Sequence, residues 1–117
     1  MSTPLIQNKL LRLTLTEGVF FLPLQDIIRL EARSNYTWIY CRHRRPLLAA
    51  MVLKQFEAGL QPFGFLRTHR RHLVNRRHIT GILQQGSMRT TFGDIISISK
   101  RKRAAVVQAL SRPLPAA

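Results

Sequence analysis

The sequence predicts one mainly β domain with two short helices, and three observations carry that prediction. β-Branched and aromatic residues recur in brief runs separated by turn-forming residues. Two windows change to a helical period. And 117 residues with 45% hydrophobic composition supply a single modest core and no second one.

Residues 1–9 read as an N-terminal extension and residues 10–110 as the domain. LLRLTL (10–15) and VFFLPL (19–24) are two strands joined by a turn at Glu17-Gly18. IIRLEA (27–32) and YTWIYC (36–41) read as an antiparallel hairpin with its tip at Arg33 to Asn35; Ile28, Leu30 and Ala32 alternate with polar neighbours. From Met51 to Leu60 the period lengthens: Leu53, Phe56 and Leu60 share one face of a short amphipathic helix that Gly59 and Pro62 bring to an end. Phe63 to Leu66 and Leu73-Val74 are apolar anchors within a basic stretch. Ile79 to Leu83 and Met88 to Phe92 form another hairpin around Gln84 to Ser87, and Ile95 to Ile98 is a last strand. Ser99 is a good N-cap for a second helix with an apolar stripe of Ala104, Val106, Val107 and Leu110, ending near Pro113. Residues 111–117 read as a flexible tail.

The charge balance narrows the function. Lys and Arg number 19 against five acids, a formal net charge of +14, well beyond what solubility asks of a small domain. The acids Glu17, Asp26, Glu31, Glu57 and Asp94 are scattered, whereas the bases cluster at 42–45, 67–78 and 100–103. Residues 67–78, RTHRRHLVNRRH, hold five arginines, three histidines and no acid. Such unneutralised charge repels itself unless a polyanion sits against it, and nucleic acid is the first candidate. At the second helix, Lys100, Arg101 and Lys102 occupy the first turn, where the helix dipole disfavours cations by roughly 0.3–1 kcal/mol each. A phosphate or base acceptor there offsets that penalty.

Other classes find little support. Catalysis needs carboxylates or histidines with positioned partners, and no Gly-rich phosphate loop, nucleophile elbow or acid pair is present. A metal at His69, His72 and His78 would enter a field of arginines, so these side chains are expected to pack partly or to donate to phosphate. No cofactor is implied. Cys41, the one cysteine, reads as a small buried hydrophobe in a cytoplasmic protein. No apolar run approaches the roughly 18 residues of a membrane span, and the first residues lack a signal-peptide pattern. Trp38 is expected in the core; Tyr36, beside the hairpin tip, either packs or stacks on bases. Asn75 reads as a turn residue bonding its own backbone, in preference to an adenine reader.

Four pieces, in order, resemble the LytTR output domains of bacterial transcription regulators: IIRLEARSNYTWIY, VLKQFEAGL, FLRTHRRHLVNRRHITGI and ISISKRKRAAVVQAL. The resemblance spans about residues 10–110. It implies an elongated, mainly antiparallel β fold that presents loops to successive major grooves of double-stranded DNA and bends the duplex. Carried onto this chain, the contacts would be the tip Arg33, Ser34, Asn35 and Tyr36, the segment His69, Arg70 and Arg71, and the helix start Ser99, Lys100 and Arg101. Arg70 and Arg101 are the expected guanine readers and Asn35 an adenine reader; Arg67, Lys100 and Lys102 are expected on phosphates. Arg71 departs from the small hydroxyl residue common after the family's H-R, and the helix before Phe63 lacks a polar N-cap.

The resemblance also implies a two-component response regulator whose partners are DNA with paired or direct-repeat sites, a homodimer formed on DNA or monomers that meet only there, and a sensor or receiver. A receiver domain does not fit in this length, so the chain reads as a stand-alone regulator or an output domain separated from its receiver. Two rivals remain: an RNA-binding or ribosome-associated basic β domain, and an interaction module for an acidic protein partner.

Overall fold

The computed structural model describes residues 5–113; the ends of the expected N-terminal extension and of the tail lie outside the described residues. Eleven strands and two helices are present among them: β1 Leu5–Gln7, β2 Leu10–Leu15, β3 Gly18–Pro23, β4 Ile27–Arg33, β5 Tyr36–Cys41, β6 Leu47–Ala49, α1 Leu53–Leu60, β7 Phe65–His69, β8 His72–Asn75, β9 Ile79–Ile82, β10 Ser87–Thr90, β11 Ile95–Ser97 and α2 Lys100–Leu110. The molecule measures 41 × 31 × 28 Å.

The central sheet has the order β6-β5-β4-β8-β7, flanked by three-stranded sheets β1-β2-β3 and β11-β10-β9. The paired strands are antiparallel throughout. Adjacent residues of β8 show how the layers stack. Leu73 joins a main core with Leu11, Leu22, Leu30, Ile39, Phe56 and Phe65, while Val74 joins a smaller core with Met88, Ile96, Ile98 and Val106. Because neighbouring side chains of a strand face opposite ways, the central sheet is covered on one face by α1 and the first sheet. On the other face it is covered by the last sheet and α2.

That second covering reaches only part of the sheet. Tyr36, Trp38 and Tyr40 alternate with the buried Thr37, Ile39 and Cys41 along β5, so the aromatic residues lie on the outer face. Trp38 is therefore half-buried beside Leu48 rather than in the core, because Ile39 and its alternates took the inward register. Tyr36 is 48% exposed. In β4 a bulge between Ile27 and Arg29 interrupts the alternation expected from Ile28, so Ile27 and Ile28 are both buried.

Helix α1 buries Leu53, Phe56 and Leu60 as its spacing predicts. Gly59 stays within the last turn, and the chain then tightens through Pro62 into a turn ending at Gly64, φ 92°. Helix α2 has a narrower apolar stripe than expected. Val106 is buried and Leu110 packs on the smaller core, whereas Ala104 and Val107 face outward.

Candidate nucleic-acid interface

Strand register places the expected contact loops together. β4 and β8 pair with Glu31 opposite His72, and the Ala32 N–H donates to the Arg71 carbonyl at 2.9 Å. The β4–β5 tip and the β7–β8 turn therefore emerge from one end of the sheet. Just beyond Thr68, the Ser99 N–H donates to the Thr68 carbonyl at 2.9 Å, bringing the start of α2 to the same end. Strand order then makes a row: residues 33–36, residues 69–71, and the helix start. At about 4.8 Å per strand the row is roughly 20 Å wide.

The first loop is a tight turn with Ser34 in the left-handed region at φ 55°, which leaves Arg33, Ser34, Asn35 and Tyr36 exposed. Behind the second loop, the Arg67 guanidinium donates to the His69 carbonyl at 2.9 Å and the Arg70 carbonyl at 2.6 Å. It also reaches Glu57 of α1 at 2.7 Å. The His69 Nδ1 accepts from the Arg71 N–H at 3.1 Å. These bonds fix the backbone of the turn while Arg70 and Arg71 stay exposed. Arg67, 17% exposed, is thereby occupied within the fold as a brace.

At the helix start, the Ser99 carbonyl accepts from the Lys102 N–H at 2.9 Å. The Ser99 hydroxyl makes no capping bond, contrary to the expected N-cap role, so the first-turn N–H groups gain no side-chain acceptor from it. Lys100 and Arg101 are exposed and Lys102 half-buried. Between this helix start and the 69–71 turn lies an open basin of about 420 Å³, lined by His69, Arg70, Ser99, Arg101 and Lys102 together with Lys54, Glu57 and Arg67. Its one acid, Glu57, is already neutralised by Arg67.

The rest of the 67–78 charge is spent elsewhere. Asn75, 1% exposed, accepts from the Arg77 N–H and donates to the Leu24 and Ile27 carbonyls at 3.2 and 2.8 Å. It is the expected turn residue and also a clamp between segments. Arg76 donates to the carbonyls of Leu110, Arg112 and Pro113 at the C-terminus of α2, and Arg77 donates to the Phe63 carbonyl. His78 is buried, its ring nitrogens bonded to the Gln25 carbonyl and the Thr91 hydroxyl. Arg76, Arg77 and His78 lie at the far end of β8. Three residues of the basic segment are thus directed to backbone carbonyls away from the loop end. The 42–45 cluster also lies at the far end, with Arg42 paired to Asp26 and Arg44 stacked 5.2 Å from the Phe20 ring.

Burial pushes the His72 imidazole down to about 4, opposed by Glu31 and assisted by Arg29, His69 and Arg71. Burial likewise raises the Cys41 thiol to about 11, consistent with an inert small hydrophobe. Among the described residues no group of three or more His, Cys, Asp or Glu is placed to hold a metal ion. Sequence reasoning missed the brace. Nothing local distinguishes Arg67 from its exposed neighbours, since its acidic partner comes from another element.

A mainly β domain that gathers polar loops and unpaired cations at one end defines a polyanion-binding module. Residues 17–111 match the family described as LytTr DNA-binding domain, and the chain belongs to that family. Its fold is similar to that of a Bacillus cereus chain described as the LytTr DNA-binding domain of a methyl-accepting/DNA response regulator. The TM-score is 0.72 at 23% identity, covering 90% of this chain and 98% of that one. No curated protein matches the chain.

Proposed function

We propose that this domain is a sequence-specific, double-stranded DNA-binding transcriptional regulator acting at the output of a two-component system. The observation that carries the reading is the row of three loops on one end, fixed from behind by Arg67 and open in front. Arg70 and Arg101 read guanine through bidentate contacts, and Asn35 reads adenine. Arg33, Arg71, Lys100 and Lys102 hold phosphates and set register, with Ser34, Tyr36, His69 and Ser99 completing the surface. Arg67 holds the 69–71 turn in place of a phosphate.

A row roughly 20 Å wide is shorter than the ~34 Å between grooves on one face of straight DNA. Bending the duplex toward the protein brings successive major grooves within its reach. We place the domain in the cytoplasm, on paired or direct-repeat sites, with two copies meeting on DNA and a receiver or sensor controlling them. The described helices include none long and apolar enough to cross a membrane. The RNA rival has less to use: Trp38 is half-buried and Arg29 covers Tyr40 at 4.0 Å, which leaves Tyr36 without a stacking platform beside it.

Arg70→Ala tests the reading. It is expected to lose discrimination at one or two base pairs, at a cost of roughly 1–3 kcal/mol. Equal weakening on every sequence, measured by fluorescence anisotropy, removes it from base reading.

A further inference from the structure

Resting on the DNA-binding reading, we propose that the β9–β10 turn is a fourth contact, in which Gln84 and Gln85 meet the duplex beside the segment read by the start of α2. The register of the last sheet supplies the placement. Ser87 lies opposite Ser97, and Met88 lies between Ile82 and Ile96. The turn joining β9 to β10 is thus at the end of the sheet where β11 runs into Ser99. The Ile98 N–H donates to the Gly86 carbonyl at 3.2 Å, tying the two together. Since Ser99 is bonded to Thr68, the turn continues the row of loops beyond the helix start.

The turn is built to present its corners. The Leu83 N–H donates to the Ser87 carbonyl at 2.8 Å and the Gly86 N–H to the Leu83 carbonyl at 3.0 Å. Gly86 has φ 89°, so Gln84 and Gln85 occupy the two central positions, both exposed. Arg103 of α2 donates to the Gln84 carbonyl at 3.3 Å. Its Nη1 lies 3.2 Å from where a Cβ on Gly86 would stand, so the glycine gives the guanidinium room against the turn. The first turn of the helix and this turn therefore form one unit. Asp94, the one acid of the last sheet, sits at the opposite end of its hairpin and pairs with Arg29. What the turn exposes is two neutral amide side chains, with the Arg103 cation bonded to its backbone. A Gln amide matches the N6 and N7 edge of adenine, and Arg103 attracts the adjoining phosphates.

The test is selection from DNA with random core and flanks, comparing the wild type with the Gln84→Ala/Gln85→Ala double variant. The wild type is expected to enrich a core motif plus a preference at one flanking position. The variant keeps the core, loses the flanking preference, and binds the full wild-type site about tenfold more weakly. An unchanged flank and affinity within about twofold overturn the fourth contact alone, whereas absence of any core motif in the wild type overturns the DNA reading itself. Hydroxyl-radical footprinting of wild type keeps the proposal testable without the variant: protection must extend past the core on the helix-start side, and a footprint ending at the core refutes it.

Discussion

Arginine at position 67 and arginine at position 70 are three residues apart and chemically identical, yet the fold gives them opposite work. Arg67 turns inward and ties two carbonyls of the turn to Glu57; Arg70 points out. Removing the brace in Arg67→Ala frees the turn. Binding on every site is expected to weaken together with discrimination, and stability to fall by about 1–3 kcal/mol in urea titrations. Asn75→Ala takes the buried amide from the Ile27 carbonyl and the Arg77 N–H, while the Leu24 carbonyl keeps the Ile27 N–H, and about 1–3 kcal/mol of stability is expected to go with it. His72 gives a pH prediction. The folded chain takes up its proton only near pH 4, the unfolded chain near 6.5. Between those values the unfolded state holds the extra proton, so stability falls as pH drops from 6.5 to 4. His72→Gln is expected to flatten that fall by on the order of 2 kcal/mol; an unchanged slope contradicts a neutral, half-buried imidazole. At this scale the sequence showed which residue types were unusual but not their direction. Arg76 and Arg77 look like further cations because the carbonyls they satisfy come from distant segments, and Trp38 left the core because the register of β5 is set by Ile39 and Cys41.

Among the elements, α2 carries the clearest conflict between folding and binding. Lys100, Arg101 and Lys102 crowd its positive N-terminus without a Ser99 side-chain cap, while Arg76 serves its C-terminal carbonyls. Lys100→Ala/Arg101→Ala is expected to stabilise the free protein by about 0.3–1 kcal/mol for each cation removed, read as a higher thermal midpoint, while weakening DNA binding. A fall in both would show that these side chains stabilise the helix. Helix α1 and the two hairpins β4–β5 and β9–β10 were legible because each has a clean period or turn signal. The β7–β8 hairpin was not. Its strands carry arginine and histidine at positions that, elsewhere in a sheet, would be apolar, and the bulge between Arg67 and His69 breaks the alternation. β1 and β6, of three residues each, are too short to show a period.

For the molecule as a whole, charge points to the class of partner and register gathers the loops of the proposed surface at one end. The cations left facing the loop end include Arg33, Arg70, Arg71, Lys100, Arg101 and Arg103, with the half-buried Lys102 beside them. If six to eight phosphates are neutralised there, log affinity is expected to fall with log salt at a slope of roughly −5 to −7. The 42–45 cluster, at the opposite end, is expected to leave that slope unchanged when its arginines are replaced, because it is directed away from the duplex. The most direct test of the central claim is selection from a random double-stranded DNA pool at about 0.15 M salt, where non-specific phosphate binding is partly suppressed. Enrichment of a motif repeated about one helical turn apart is the predicted result. Retained affinity with no enriched motif would contradict sequence-specific recognition by this loop surface.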